Sequence, residues 1–127
     1  MPAMANMTLK KYDGTTDCTY TVLQGSGPSY SWADTAQGTP GGFRTIAMQV
    51  KQPSDPTKGV TRTIVKIARP FVNTTTGLVD YVGRVQFEVL VPVNATAAER
   101  QELYAMARYF VPHANCLAAV VDGQGMY

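Results

Sequence analysis

The segment Thr96–Val111, TAAERQELYAMARYFV, carries an apolar stripe that has to be covered by something. Leu103, Met106, Ala107, Phe110 and Val111 recur at i, i+3, i+4, i+7 and i+8, the spacing that puts side chains on one face of an α-helix. Thr96 followed by Glu99 has the form of a capping box, and Pro112 stops the run. A helix this short is marginal alone in water. Burying its four larger apolar side chains is worth roughly 6–12 kcal/mol at most, so the helix depends on a surface outside itself.

The preceding chain reads as β-strands. MTLKKY and CTYTVLQ flank Asp13-Gly14, a pair suited to a hairpin turn with positive φ. A turn-rich stretch leaves room for a short strand around Tyr30–Asp34. In Thr45–Lys51, Ile46, Met48 and Val50 alternate with Thr45, Ala47, Gln49 and Lys51. PSDPTKG is a loop, Val60–Arg69 is β-rich with Arg62 and Lys66 on one face, and PFVNTTTG is a second loop. In VGRVQFEVLVPV, Val85, Phe87, Val89 and Val91 oppose Arg84, Gln86 and Glu88. A shorter second helix, NCLAAVVDG, is expected to be capped by Asn115 and closed at Gly123.

The expected architecture is α+β: an N-terminal β-hairpin, an antiparallel five-stranded sheet and two C-terminal helices, in one domain over residues 1–127. Alternation gives such a sheet one apolar and one polar face. Five strands at about 4.8 Å spacing span roughly 24 Å, while one helix is about 10–12 Å across. Two helices from one chain leave much of the apolar face wet, and a symmetric dimer remedies this.

Net charge is only +2, but its distribution is uneven. Between Phe43 and Pro70, six cations (Arg44, Lys51, Lys58, Arg62, Lys66 and Arg69) face Asp55 alone, a local +5 that leaves −3 for the remainder. Such a segment is either a surface for a polyanion or an ordinary solvated face. No apolar run reaches transmembrane length and the N-terminus lacks a signal-peptide core, which points to the cytosol. Cys18 and Cys116 have no metal-ligand spacing and read as buried free thiols.

Catalytic chemistry has little support. Cys116, His113 and Asp122 lie within ten residues along a helical turn, which is not the arrangement of a triad, and His113 reads as a surface or C-cap residue. The acidic residues are scattered and the glycines match no phosphate-binding pattern. No enzyme activity, cofactor or metal is expected. The polar sheet face, with Gln49, Lys51, Arg62, Lys66, Arg84, Gln86 and Glu88, combines amides and cations that can pair with phosphates and base edges.

In its order of elements the chain resembles the coat proteins of the small single-stranded RNA bacteriophages, the levivirus type. The resemblance runs from the N-terminal hairpin through Trp32 in a short strand, QVKQ, VKIARP and FEVLVPV to the helix pair and the terminal GQGMY. It implies a homodimer with a continuous sheet, in which each subunit's helices clasp the partner's sheet. Dimers would then assemble into an icosahedral shell around single-stranded genomic RNA, with the sheet facing the RNA and possible repression of translation through an operator hairpin. It further implies location in the virion, after assembly in the cytoplasm of a bacterial host. Lys66 matches a family lysine that contacts operator RNA, and Gln86 and Glu88 match an amide and a glutamate on the last strand. Ala47 and Gln49 replace hydroxyl residues of a base pocket, and Arg84 replaces a stacking tyrosine, so operator preference does not carry over. The loop FVNTTTG is shorter than in the best-known members and has no cysteine, so inter-dimer disulfides there are not expected. The alternative is a cellular dimeric α+β module that binds nucleic acid or a small ligand and forms no shell.

Overall fold

A computed structural model of the chain describes residues 4–10, 14–26, 29–34 and 42–123. Six strands come first: β1 (Met7–Lys10), β2 (Asp17–Ser26), β3 (Ser29–Asp34), β4 (Arg44–Lys51), β5 (Val60–Val72) and β6 (Val79–Pro92). The helices α1 (Ala97–Phe110) and α2 (Ala114–Val121) follow. The strands form one antiparallel sheet in chain order, β1 to β6. The α+β class and the order of elements match the sequence reading, whereas the sheet has six strands, not five. The extra strand arises because β2 is long enough to serve two neighbours. Asp17–Tyr20 pair with β1, and Thr21–Ser26 pair with β3.

In the N-terminal hairpin Lys10 pairs with Asp17, a register whose midpoint falls between Asp13 and Gly14. Gly14 takes the positive φ expected of it, at 74°, and Asp13 lies outside the described residues. Beyond the last β1 pair, Met7 with Tyr20, the Val22 N–H donates to Asn6 Oδ1 at 3.0 Å. Trp32 Nε1 donates to Ala5 O at 2.9 Å, so the segment before β1 is tied across β2 and β3. Near this end, Cys18 Sγ donates to the buried Asp34 at 2.9 Å. Burial, then the Asp34 hydrogen bond, pushes the Cys18 thiol up. Burial, and next the nearby Cys18, raises the Tyr20 phenol. Both cysteines are free, Cys18 buried and Cys116 half-buried.

β5 runs three residues past the expected end and includes Pro70. Pairing with β4 stops at Ala68, so among the described residues Pro70 pairs only with β6 and its missing N–H breaks no ladder on the other side. The loop that follows is therefore shorter than PFVNTTTG. Asn73 organises it, accepting Thr75 N at 2.8 Å and Thr76 N at 3.2 Å through Oδ1, and Gly77 N at 2.8 Å through its carbonyl.

α1 begins with the expected capping box: Thr96 Oγ1 accepts Glu99 N at 3.2 Å, and Thr96 N donates to Glu99 Oε2 at 2.9 Å. The cap of α2 differs from expectation. It is His113, whose Nδ1 accepts Asn115 N at 3.2 Å, while Asn115 lies inside the helix. An imidazole two residues upstream reaches the orphan N–H, so the histidine caps an N-terminus and not a C-terminus.

The helices do not cover their own sheet. Extensive contacts run only between neighbouring strands, and neither helix buries a single residue. Phe110 is 58% exposed, Met106 65% and Val111 65%. The chain exposes 9725 Å², against roughly 6,600 Å² for a compact monomer of its 13.7 kDa.

The loop between β4 and β5 generates a test of its backbone. Gly59 sits at φ 105°, and a Cβ there would lie 2.8 Å from Pro53 Cβ. Gly77 is also at positive φ, 74°, but a Cβ there meets nothing within 4 Å. Gly59→Ala is expected to destabilise by about 2–3 kcal/mol and Gly77→Ala by only about 1 kcal/mol, read as denaturation midpoints at equal protein concentration.

Candidate nucleic-acid interface

Antiparallel register decides which side chains share a face, because directly opposed residues point the same way. Four rows cross this part of the sheet, three over β3–β6 and one over β4–β6. Ser31, Ala47, Lys66 and Gln86 form one, and Ser29, Gln49, Ile64 and Glu88 the next. On one side lie Lys51, Arg62 and Leu90, and on the other Ala33, Thr45, Ala68 and Arg84. All seven residues singled out from alternation therefore stand on a single face. Adjacent strands are about 4.8 Å apart and successive rows about 7 Å.

Within the first two rows, Ser29, Ser31, Ala47, Gln49, Ile64 and Lys66 line a shallow depression of about 260 Å³. Small side chains on β3 and β4 form its floor, and the longer Gln49, Ile64 and Lys66 rise beside it. Lys66 is exposed and stands directly opposite Gln86, so a cation and an amide are adjacent at its edge. Ser29, Ser31 and Ile64 were not singled out from the sequence. The alternation of SYSWAD, with serines against Tyr30 and Trp32, carries the signal for the two serines, whereas Ile64 has no polar group to mark it.

The charges on this face differ in their availability. Arg62 Nε donates to Glu88 Oε1 at 2.9 Å. Among the described residues, no ion pair engages Lys51, Lys66 or Arg84. Arg84 stands opposite Ala68, beside a small residue that leaves its guanidinium open. The face can thus attract anions through three cations and form directional bonds through the Gln49 and Gln86 amides and the serine hydroxyls.

The opposite face carries Ile46, Met48 and Val50 on β4, Val65 and Ile67 on β5, and Val85, Phe87 and Val89 on β6. Exposure rises toward β6: Ile46 is buried at 7%, whereas Val85 is 55% exposed and Phe87 49%. Here also Phe71 and Tyr81 stack with centroids 4.8 Å apart, and Arg69 lies 4.6 Å from the Phe71 centroid. Among the described residues, no group of three His, Cys, Asp or Glu is placed to hold a metal, and no helix is long and apolar enough to cross a membrane.

This combination of a meandering sheet and two projecting helices is the fold of RNA-phage coat proteins. The chain aligns with the virus-like particle of bacteriophage ESE058 at a TM-score of 0.87 and 21% identity, over 99% of this chain and 100% of that one. The virus-like particle of bacteriophage NT-214 gives 0.87 and 23% over the same shares. An unassembled virus coat protein dimer, described as a bacteriophage RNA-binding dimer, gives 0.72 and 10% over 97% of each chain. No protein-family model matches the sequence, and no curated protein does.

Proposed function

We propose that this chain is the structural capsid protein of a small RNA bacteriophage, acting over residues 1–127 as one coat-protein domain. The observation that carries the reading is full-length coincidence of fold, with virus-like-particle subunits covered from end to end. In this reading the protein is located in the virion, after assembly in the bacterial cytoplasm, and has no catalytic role.

The first assembly step is a homodimer. The stripe of Leu103, Met106, Ala107, Phe110 and Val111 is exposed or nearly so along its length, and so is the apolar face of β6. A second copy supplies what each surface lacks: its helices cover Val85 and Phe87, and its sheet receives the stripe. β6 is also the last strand of the sheet, with 14 residues along an edge that has no partner among the described residues. Edge-to-edge pairing of two β6 strands satisfies those backbone groups and makes the sheet continuous. The roughly 3,000 Å² of excess surface per chain, about 6,000 Å² over two copies, is at the upper end of what obligate interfaces bury.

The second partner is single-stranded RNA, held on the polar face inside the shell. Lys51, Lys66 and Arg84 supply phosphate contacts, and Gln49 and Gln86 read base edges, with the depression beside Lys66 accepting a base. Repression of translation through a genomic hairpin uses the same surface.

Four outcomes are expected. Expression in bacteria yields closed shells that sediment far faster than a dimer and absorb strongly at nucleic-acid wavelengths; particles no larger than dimers, at neutral pH and physiological salt, favour a cellular binding module instead. Phe110→Asp leaves insoluble or unfolded protein, since it places an unpaired charge in the dimer core, and a soluble folded monomer would refute the obligate dimer. Lys66→Glu weakens RNA binding and lowers the log–log salt slope by about 0.7 or more while the dimer persists. Gln86→Ala shifts preference among hairpins with little change in slope, because an amide carries no counterion to release. Unchanged affinity and slope in Lys66→Glu would remove this face as the RNA surface.

A further inference from the structure

A carboxylate on an otherwise cationic and amide-bearing face needs a reason. Glu88 lies on β6 opposite Ile64, and Arg62 on β5 stands opposite Leu90, so the two are diagonal neighbours on the polar face. Their side chains meet at 2.9 Å with 48% exposure for Arg62 and 37% for Glu88. Arg62 also sits directly opposite Lys51 across β4 and β5. Like charges in that position repel, and Glu88 relieves the repulsion by taking Arg62.

We propose that Glu88 is a specificity-determining residue that acts through Arg62, withholding the guanidinium from any RNA backbone not placed to displace the carboxylate. The inference rests on the RNA-facing assignment of this surface. Arg62 left free would pair with a phosphate of any sequence, because backbone contacts carry no sequence information. Held by Glu88, it adds nothing to non-specific attraction, which then depends on Lys51, Lys66 and Arg84. An exposed ion pair is weak enough for a well-placed phosphate to replace the carboxylate. An RNA fixed in register by contacts with Lys66 and Gln86 can present that phosphate; a sliding strand presents it only part of the time. Glu88 in this role need not contact a base.

The test compares the full-length wild-type protein with Glu88→Gln, Arg62→Gln and the double variant, binding unstructured oligouridylate across a salt series. Lys66→Glu is run beside them. Glu88→Gln is expected to tighten binding by up to about fivefold and to steepen the salt slope by about 0.7, the contribution of one released cation on a single strand. Arg62→Gln alone should leave the slope nearly unchanged, and in its background Glu88→Gln should lose its effect on slope. A purely structural role for Glu88 moves denaturation midpoints without moving the slope, and that outcome overturns the proposal. So does a Glu88→Gln effect of equal size with and without Arg62, which would be simple removal of a negative charge, or weakened binding, which would make Glu88 a direct contact. If Lys66→Glu weakens binding and Glu88→Gln does nothing, the restraint on Arg62 is refuted and the RNA surface stands. If neither variant has an effect, the RNA surface is refuted and this inference with it.

Discussion

The apolar surface that the chain cannot cover by itself governs the rest of the structure. α1 is well capped and well patterned, yet Phe110, Met106 and Val111 remain more than half exposed. The face of β6 beneath no helix is exposed in the same way, at Val85 and Phe87. Hydrophobic burial is proportional to the area removed from water, and this chain leaves a large part of that area wet. In the proposed dimer folding and association are coupled, because the transfer energy of the helix stripe is gained only on pairing. The proposed dimer is the simplest closed solution, since one symmetric interface covers both deficits and the free β6 edge together.

The two-residue period of the strands divides the remaining work. Side chains on one face of β4, β5 and β6 are branched and aromatic and belong to packing. Those on the other face are mostly small, amide or charged, with Ile64 and Leu90 among them. The proposed RNA surface therefore comes with the same strands that build the core, and it depends on register. A slip of one residue in β5 would send Arg62 and Lys66 to the packing face and bring Val65 and Ile67 out to solvent. Directly opposed residues across β3–β6 set which cations stand beside which amides, and they place Lys51 against Arg62, a repulsion that Glu88 offsets.

Local chemistry was legible where it involved residues close in the chain. The capping box at Thr96 and Glu99, the stop at Pro112, the turns around Gly14 and Gly59 and the alternation of Thr45–Lys51 all follow from neighbouring residues and short-range sterics. Failures occurred where a distant strand or an unusual donor decided the outcome. Pro70 reads as a strand breaker until β4 is seen to end beside Ala68, which leaves the missing N–H harmless. His113 reads as incidental until its Nδ1 is found accepting from Asn115. The hairpin reads as separate until β2 proves long enough to join it to the sheet.

By itself, the sequence determined the type and order of the elements, the sidedness of each strand and the incompleteness of the helix stripe, because each depends on period and on side-chain chemistry within one segment. Only the tertiary structure decided which rows of the sheet come together. It put Lys66 opposite Gln86, opened the depression floored by Ser29, Ser31 and Ala47, and locked Arg62 to Glu88. Those juxtapositions depend on strand order and register, which are fixed by backbone pairing between segments far apart in the chain. The pattern within one strand says which way a side chain points, and only the pairing of strands says what it meets there.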